Sequence, residues 1–451
     1  MKLPVRSALL SLSVAAAALL PSAMAQSLED TLVSAYQSNP TLAAQRARLR
    51  QTEEGFFQAR SAQLPTLSAS ADVSETERWG GTFAFSPDGS IGYGVNLSQS
   101  LYRGGRTDGG INAALARIQA GRAQLRSVEQ SVLIDAVAAH AEVVRDQQVV
   151  AIRSNNVEVL AEQLRAARDR FEVGEITRTD VAQAEARLSG ARAQLSAAQA
   201  QLAAARARYA RVTGVEASEP DAAEAAPNLP QGLADALETA LAVNPDLQAS
   251  EFSVQAAELG VDVARGALRP EVSLSASASE GRQSDFTGQA QGSATVTARV
   301  SVPIFTGGLN RSRVREALAG ADEARLTNVN VRRQVIEGVT NAWNNYLSAL
   351  AVIESSREAV RANEIAFEGV EQEAFVGLRT TLDVLNAEQE LLNSRLELVR
   401  AERDLTVASY GVLQSMGLLG AQALALPVEA DDPEARFEAA RGYNIDLTPW
   451  N

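Results

Sequence analysis

Two stretches of this chain, residues 26–217 and 232–420, carry the same motifs in the same order, so whatever fold forms must be buildable twice from one plan. Leu28-Glu29-Asp30-Thr31-Leu32 returns as Leu233-Ala234-Asp235-Ala236-Leu237, and Asn39-Pro40 returns as Asn244-Pro245. Ala59-Arg60 before Leu64-Pro65 returns as Ala264-Arg265 before Arg269-Pro270. Gly104-Gly105 returns as Gly307-Gly308. Phe171-Glu172-Val173-Gly174 with Asp180 returns as Ala374-Phe375-Val376-Gly377 with Asp383, and Gly214 as Gly417. The spacing is 205 residues early and 203 later, a drift too small for chance. An acidic Ala/Pro/Glu segment, 218–231, joins the halves without apolar periodicity, which predicts an extended linker. For the tail, 421–451, wrapping of the outer surface and disorder both stay open.

The first 25 residues stand apart from this plan. Lys2 and Arg6 precede an apolar run from Ala8 to Leu20, and Ala23-Met24-Ala25 is a small-x-small cleavage site. That is the pattern of a secretory signal peptide over 1–25, with the mature chain starting near Gln26. No later segment is an uninterrupted apolar run of about 18 residues, the length a spanning helix needs. An exported chain of this kind is either soluble or held in a membrane by something other than helices.

Composition narrows the chemistry. Lys and Arg total 41 against 55 Asp and Glu, a formal charge of −14. Such a balance argues against nucleic-acid binding, which needs positive surface for phosphates. There is no cysteine and one histidine, His140. Disulfides, thiolate metal sites, Cys nucleophiles and multi-His zinc sites are therefore not available. His140 lies in Ala-Ala-His-Ala and reads as a packed helix residue. Trp343 reads as helix packing, and no carboxylate pair is marked as a catalytic dyad. No cofactor is expected.

Each half holds two runs of alternating apolar and small polar residues. In the second half Val272, Leu274, Ala276 and Ala278 alternate with serines. Val296, Ala298, Val300, Val302 and Ile304 alternate with Thr295, Thr297, Arg299, Ser301 and Pro303. Leu67, Ala69, Ala71 and Val73, then Tyr93, Val95 and Leu97, match them in the first half. These predict strand pairs near 65–102 and 270–305. The pattern fits transmembrane β-strands, apolar to lipid and polar to a water-filled lumen, and equally an ordinary half-buried sheet. Counting bears on the choice. Four strands cannot close a barrel, and an open edge cannot stand in lipid. Either the strands are soluble or several chains pool them. Three chains would give about twelve, an even number in the barrel range. Tyr93, Tyr102, Phe305, Trp79, Phe83 and Phe85 are candidate interfacial aromatics.

The remainder is helical. A Pro-free pattern runs from about Arg106 to Phe171 and again from Leu309 to Phe375, roughly 100 Å each at the usual rise per residue. A turn follows at Val173-Gly174 or Val376-Gly377, and a helix returns. On it Val181, Ala184, Leu188, Ala191 and Leu195 begin a strict heptad, as do Val384, Ala387, Leu391, Ser394 and Leu398. The hairpins span 106–213 and 309–415. The return helix is about half as long as the outgoing one. The helical segment 40–63, opened by Pro40, nearly makes up the difference when laid end to end with it.

Val300-Ser-Val-Pro-Ile-Phe-Thr-Gly-Gly308, its weaker copy Leu97-Ser-Gln-Ser-Leu-Tyr-Arg-Gly-Gly105, the two Asn-Pro pairs, and Val-Gly followed by Asp-Val in both halves resemble the TolC family of outer-membrane channel proteins. The resemblance covers nearly the whole mature chain. It implies a homotrimer in which a twelve-stranded β-barrel, four strands per chain, continues into a long periplasmic α-helical coiled-coil barrel. It further implies a passive duct for efflux or type I secretion, docked through a periplasmic adaptor (membrane fusion protein) to an inner-membrane RND or ABC transporter. With no N-terminal Cys to acylate, the chain fits the non-lipidated branch. The competing reading is a periplasmic coiled-coil scaffold or adaptor without a pore.

Function is expected to concentrate at the hairpin tips. Thr177 with Asp180, and Thr380 with Asp383, form capping-box patterns that open the return helices, which is a sufficient structural role for Asp180. In the resembled family, acidic residues of the second hairpin ring the periplasmic entrance and select cations, and an Arg helps hold it shut. Asp383 matches the first acidic position, Asn386 the second and Arg379 the Arg. The family's tip Tyr is replaced by Ala374. The entrance would then carry one carboxylate per chain rather than two. Arg379, Asp180, Thr177 and Thr380 are the candidate gate contacts. Val173, Gly174, Val376 and Gly377 are the candidate docking tips. Gly104, Gly105, Gly307 and Gly308 are expected as strand-end turns.

Overall fold

A computed structural model describes residues 26–78, 86–283, 290–429 and 432–441. The expected leader over 1–25, Trp79, Phe83 and Phe85, and the end of the tail with Trp450 lie outside these residues. The first repeat runs α1 (Leu28–Ser38), α2 (Pro40–Ser61), β1 (Thr66–Arg78), β2 (Ser86–Tyr102), α3 (Arg106–Glu172) and α4 (Arg178–Thr213). The second runs α5 (Leu233–Val243), α6 (Pro245–Gly266), β3 (Glu271–Gln283), β4 (Ala290–Ser301), α7 (Leu309–Phe375) and α8 (Thr381–Met416), followed by α9 (Pro433–Arg441) in the tail.

The four strands form one antiparallel sheet in the order β1-β2-β3-β4. Pairing β2 with β3 joins the repeats. Register places Leu67 opposite Leu97, Val95 opposite Ala278 and Ala276 opposite Val296, so apolar side chains gather on one face. That face is bare in the single chain, where Val73 is 81% exposed and Val296 75%. The opposite face is hydroxyl-rich. Thr66 Oγ1 lies 2.7 Å from Ser98 Oγ, and Ser74 Oγ 2.8 Å from Ser90 Oγ. One expectation fails here. The alternation runs on to Ile304, but β4 stops at Ser301. Pro303 has no N–H to give a ladder, so Val302 and Ile304 keep the pattern without the pairing.

Strands hand over to helices at glycine corners. Gly104 and Gly105 have φ of 67° and 84°, and Gly307 and Gly308 59° and 86°, a region that side chains with a Cβ avoid. At Gly104 space is also short, since a Cβ would sit 2.4 Å from the Gly266 carbonyl oxygen. Arg106 Nη2 meets Glu271 Oε2 at 2.6 Å, and Asn310 Nδ2 donates to the Ala267 carbonyl at 2.9 Å.

α3 and α7 are each 67 residues long. α4 packs along the tip-ward part of α3, and α2 along the part nearest the sheet. α8 and α6 serve α7 in the same way, while α6 and α8 also touch α3 and so seam the repeats together. The short helices are spliced by the Asn-Pro pairs. Asn39 Oδ1 accepts from Thr41 N at 2.9 Å and caps α2, while its Nδ2 donates to the Val212 carbonyl near the end of α4 at 2.9 Å. Asn244 repeats this, accepting from Asp246 N at 3.0 Å and donating to the Ser415 carbonyl at 3.0 Å. Proline follows because the first helical N–H has no intrahelical acceptor to lose.

Around the splices lies the largest core, with Leu32, Tyr36, Leu133, Val137, Tyr209, Tyr410 and Leu419. His140 is fully buried there. Its Nε2 lies 2.8 Å from the Asp221 carbonyl oxygen, which can only accept, so Nε2 carries the proton. Thr31 Oγ1 stands 2.8 Å from Nδ1 and 2.9 Å from the Tyr209 hydroxyl. Burial pushes the His140 pKa down and keeps the ring neutral. It is a packed residue that ties the linker to α1 and α4. The tail wraps: Phe437 of α9 packs edge-on to Phe56 of α2, and Arg436 reaches Glu53 at 3.4 Å.

The splice makes a testable demand. Asn39→Ala and Asn244→Ala each remove a cap worth about 1 kcal/mol and leave a buried carbonyl without its donor, about 1–3 kcal/mol more. Each variant is expected to lower the denaturant unfolding midpoint of the detergent-purified protein. Asn39→Asp, which recovers the cap alone, should fall between. Wild-type midpoints in both alanine variants would contradict the splice.

Candidate functional site

The far ends of the two long hairpins are built alike. Just past the end of α3 stands Gly174, with φ of 81°, and just past the end of α7 Gly377, with φ of 79°. Glu175 N bonds back to the Arg170 carbonyl at 2.9 Å and Gly174 N to Phe171 at 3.0 Å. Leu378 N and Gly377 N do the same to Glu373 and Ala374 at 2.8 and 3.0 Å. This closure satisfies the last carbonyls of each helix. The return helices open with full capping boxes. Thr177 N donates to Asp180 Oδ2 at 2.9 Å while Asp180 N donates to Thr177 Oγ1 at 3.4 Å. Thr380 and Asp383 repeat this at 2.9 and 3.2 Å.

These bonds set the charge of the tips. The Thr177 hydroxyl, then its backbone N–H, hold the Asp180 carboxyl below the usual carboxylate range. For Asp383 the Thr380 backbone N–H leads, followed by the hydroxyl. Both carboxylates stay ionised wherever an ordinary aspartate would. Arg379 donates from Nε to Glu373 Oε2 at 2.8 Å within its own hairpin. Asp383 lies close enough to add to its charged state.

The tips differ in their surface. Val173 is 73% exposed and Phe171 44%, whereas Ile176 folds back onto the core of Leu160, Leu164 and Leu188. The second tip exposes Phe375, Val376 and Leu378 at 81%, 66% and 77%. Apolar side chains thus stand bare at the ends of both hairpins.

Just inside the tips the hairpins are bonded to each other through Asn386 and three residues that sequence reasoning did not single out, Arg187, Asn156 and Glu388. Arg187 Nη2 on α4 donates to Asn386 Oδ1 on α8 at 3.1 Å. Asn156 Nδ2 on α3 donates to Glu388 Oε1 on α8 at 2.9 Å. A signal for this seam exists. Leu385, Glu388, Leu392 and Val399 form a second buried stripe on α8, one residue out of step with the heptad positions Val384, Ala387, Leu391 and Leu398. Farther from the tips, Gln124, Ser127, Ser253, Thr327 and Gln334 line a polar groove of about 740 Å³ between α3, α6 and α7.

Among the described residues no cluster of His, Asp and Glu could hold a metal ion, and no helix is long and apolar enough to cross a membrane. The profile of the outer membrane efflux proteins matches the chain twice, over residues 31–215 and 236–418. The outer membrane efflux protein BepC of Brucella suis is 37% identical over 422 residues, covering 93% of this chain and 91% of that one. The outer membrane protein TolC of Vibrio cholerae is 24% identical over 424 residues, covering 92% and 95%. The crystal structure of the outer membrane channel CmeC of Campylobacter jejuni superposes with a TM-score of 0.76 at 19% identity, covering 93% of this chain and 90% of that one. A sheet with an apolar outer face, two long hairpins and a doubled sequence match lead to one assignment: the chain belongs to the outer membrane efflux protein family, whose members are channels of the outer membrane and not enzymes.

Proposed function

We propose that three copies of the chain form a passive exit duct, with the strands in the outer membrane and the hairpins in the periplasm. The observation that carries this reading is the sheet. It turns an apolar face outward and leaves the edges of β1 and β4 unpaired. β4 runs antiparallel to β1, so each β4 edge suits the β1 edge of a next copy, and a ring of copies leaves no edge in lipid. α7 adds to it, since Leu326, Leu347 and Ile365 lie exposed along its flank in the single chain. The strands hold 13, 17, 13 and 12 residues, enough to cross a bilayer when tilted.

The tips are the periplasmic end of this reading. Val173, Gly174, Val376 and Gly377 form the surface for a periplasmic adaptor, which couples the duct to an RND or ABC transporter of the inner membrane. That transporter supplies the energy. Asp383, one per chain, makes the entrance attractive to cations. Asn386 adds no charge and is engaged by Arg187. Arg379, Asp180, Thr177 and Thr380 shape and steady the turns. The identity to BepC favours efflux over protein secretion.

Two experiments test this. In planar bilayers Asp383→Ala should raise single-channel conductance and bring the cation-to-anion permeability ratio toward unity. Unchanged conductance and selectivity would remove Asp383 from the entrance. Because the chain has no cysteine, single Cys variants report position without background. Val376→Cys should cross-link to an adaptor in cells and Ile304→Cys should not; the reverse pattern would contradict docking at the tips.

A further inference from the structure

The seam between α8 and α3 holds a carboxyl with no cation bonded to it. Glu388 is 8% exposed. Asn156 donates to its Oε1 at 2.9 Å, while Oε2 is buried without a hydrogen-bond partner. Leu160, Ala191 and Leu385 line the groove it shares with Asn156. The groups that face it are few. α3 presents only the neutral amides of Asn156 and Gln163, α7 presents Glu371, and α4 presents Arg187. The Arg187 guanidinium that could neutralise it donates to Asn386 instead, at 3.1 Å. A buried ion left this way is costly, and a protonated carboxyl in the same place is not.

We propose that Glu388 is a positioning residue for the entrance: uncharged, it docks α8 onto α3 through Asn156, and ionised, it drives the seam apart and frees the start of α8 that carries Asp383. Asp383 lies five positions earlier on the same helix, so movement of this seam is felt directly at the entrance.

The direction of the response follows from the site. Burial, offset by the Gln163 and Asn156 amides, pushes the docked Glu388 carboxyl above its ordinary value. Docking is therefore at full strength below the ordinary glutamate value and weakens as pH rises through the raised one. Asp180 and Asp383 respond in the opposite sense, being held below the usual range, and do not titrate in that window.

This inference rests on the duct reading, and its test separates the two. Single-channel conductance of the native protein is recorded in planar bilayers from about pH 4 to about pH 8, spanning the carboxylate and histidine ranges. The wild type should show a conductance step that rises with pH, with a midpoint above that of an ordinary glutamate. Glu388→Gln keeps the acceptor for Asn156 without the charge, and should lose the step and stay at the low, acid-side level. Glu388→Ala removes the clasp, and should lose the step at the high level. A wild-type step retained in Glu388→Gln would assign the titration elsewhere, Glu371 first, and overturn the inference. So would Glu388→Gln resting at the high level, or a wild type without a step. A wild-type protein that forms no channel at all would overturn the duct reading itself.

Discussion

The two free edges of the sheet are the constraint on which the rest depends. β1 and β4 each present a row of backbone donors and acceptors that water can satisfy and hydrocarbon cannot. An even number of antiparallel strands per chain leaves the two edges complementary, so copies add head to tail until the ring closes. The apolar face of Leu67, Val95, Ala276 and Val296 then meets lipid, and the hydroxyl face of Thr66, Ser98 and Ser279 meets water. Closure sets the helices too. α3 and α7 leave the sheet at Gly-Gly corners, and the wall they form has to be filled along its whole length.

Filling that wall explains the Asn-Pro splices. A hairpin with one long and one short arm leaves the upper part of the long arm bare. The chain covers it with a helix from another stretch of sequence, α2 or α6, which must meet the end of α4 or α8 without exposing the last carbonyls. Asn does both jobs with one side chain: its oxygen caps the new helix and its nitrogen satisfies the old one. The joint is also where α1, α5 and the linker come off, and where the largest core sits.

Much of this was legible in the sequence because the physics is periodic. A strand with one face in lipid and one in water repeats every two residues, so Val272–Ala278 announces β3. Helices that pack along one flank repeat every seven, so Leu188, Ala191 and Leu391 announce α4 and α8. The capping threonines and the glycines of the tips are local and were equally plain. What stayed hidden is non-local or superposed. Pro303 sits inside an alternation that outlasts its strand. Asn39 stands in the sequence only as the partner of a helix-opening proline, and the Val212 carbonyl that its amide satisfies lies 173 residues away. On α8 the stripe facing α3 is interleaved with the heptad facing α7 and broken by Glu388, so one period masks the other. The pairing of Arg187 with Asn386 exists only once the fold brings a side chain of α4 within reach of α8.

The central claim is that strands from separate chains are pooled into one closed barrel. Electron cryomicroscopy of the particle extracted from outer membranes tests it most directly. The account predicts three chains around one axis, with β4 of each hydrogen-bonded along its length to β1 of the next. A particle of one chain with both edges open, or one recovered from the soluble periplasmic fraction, would contradict it.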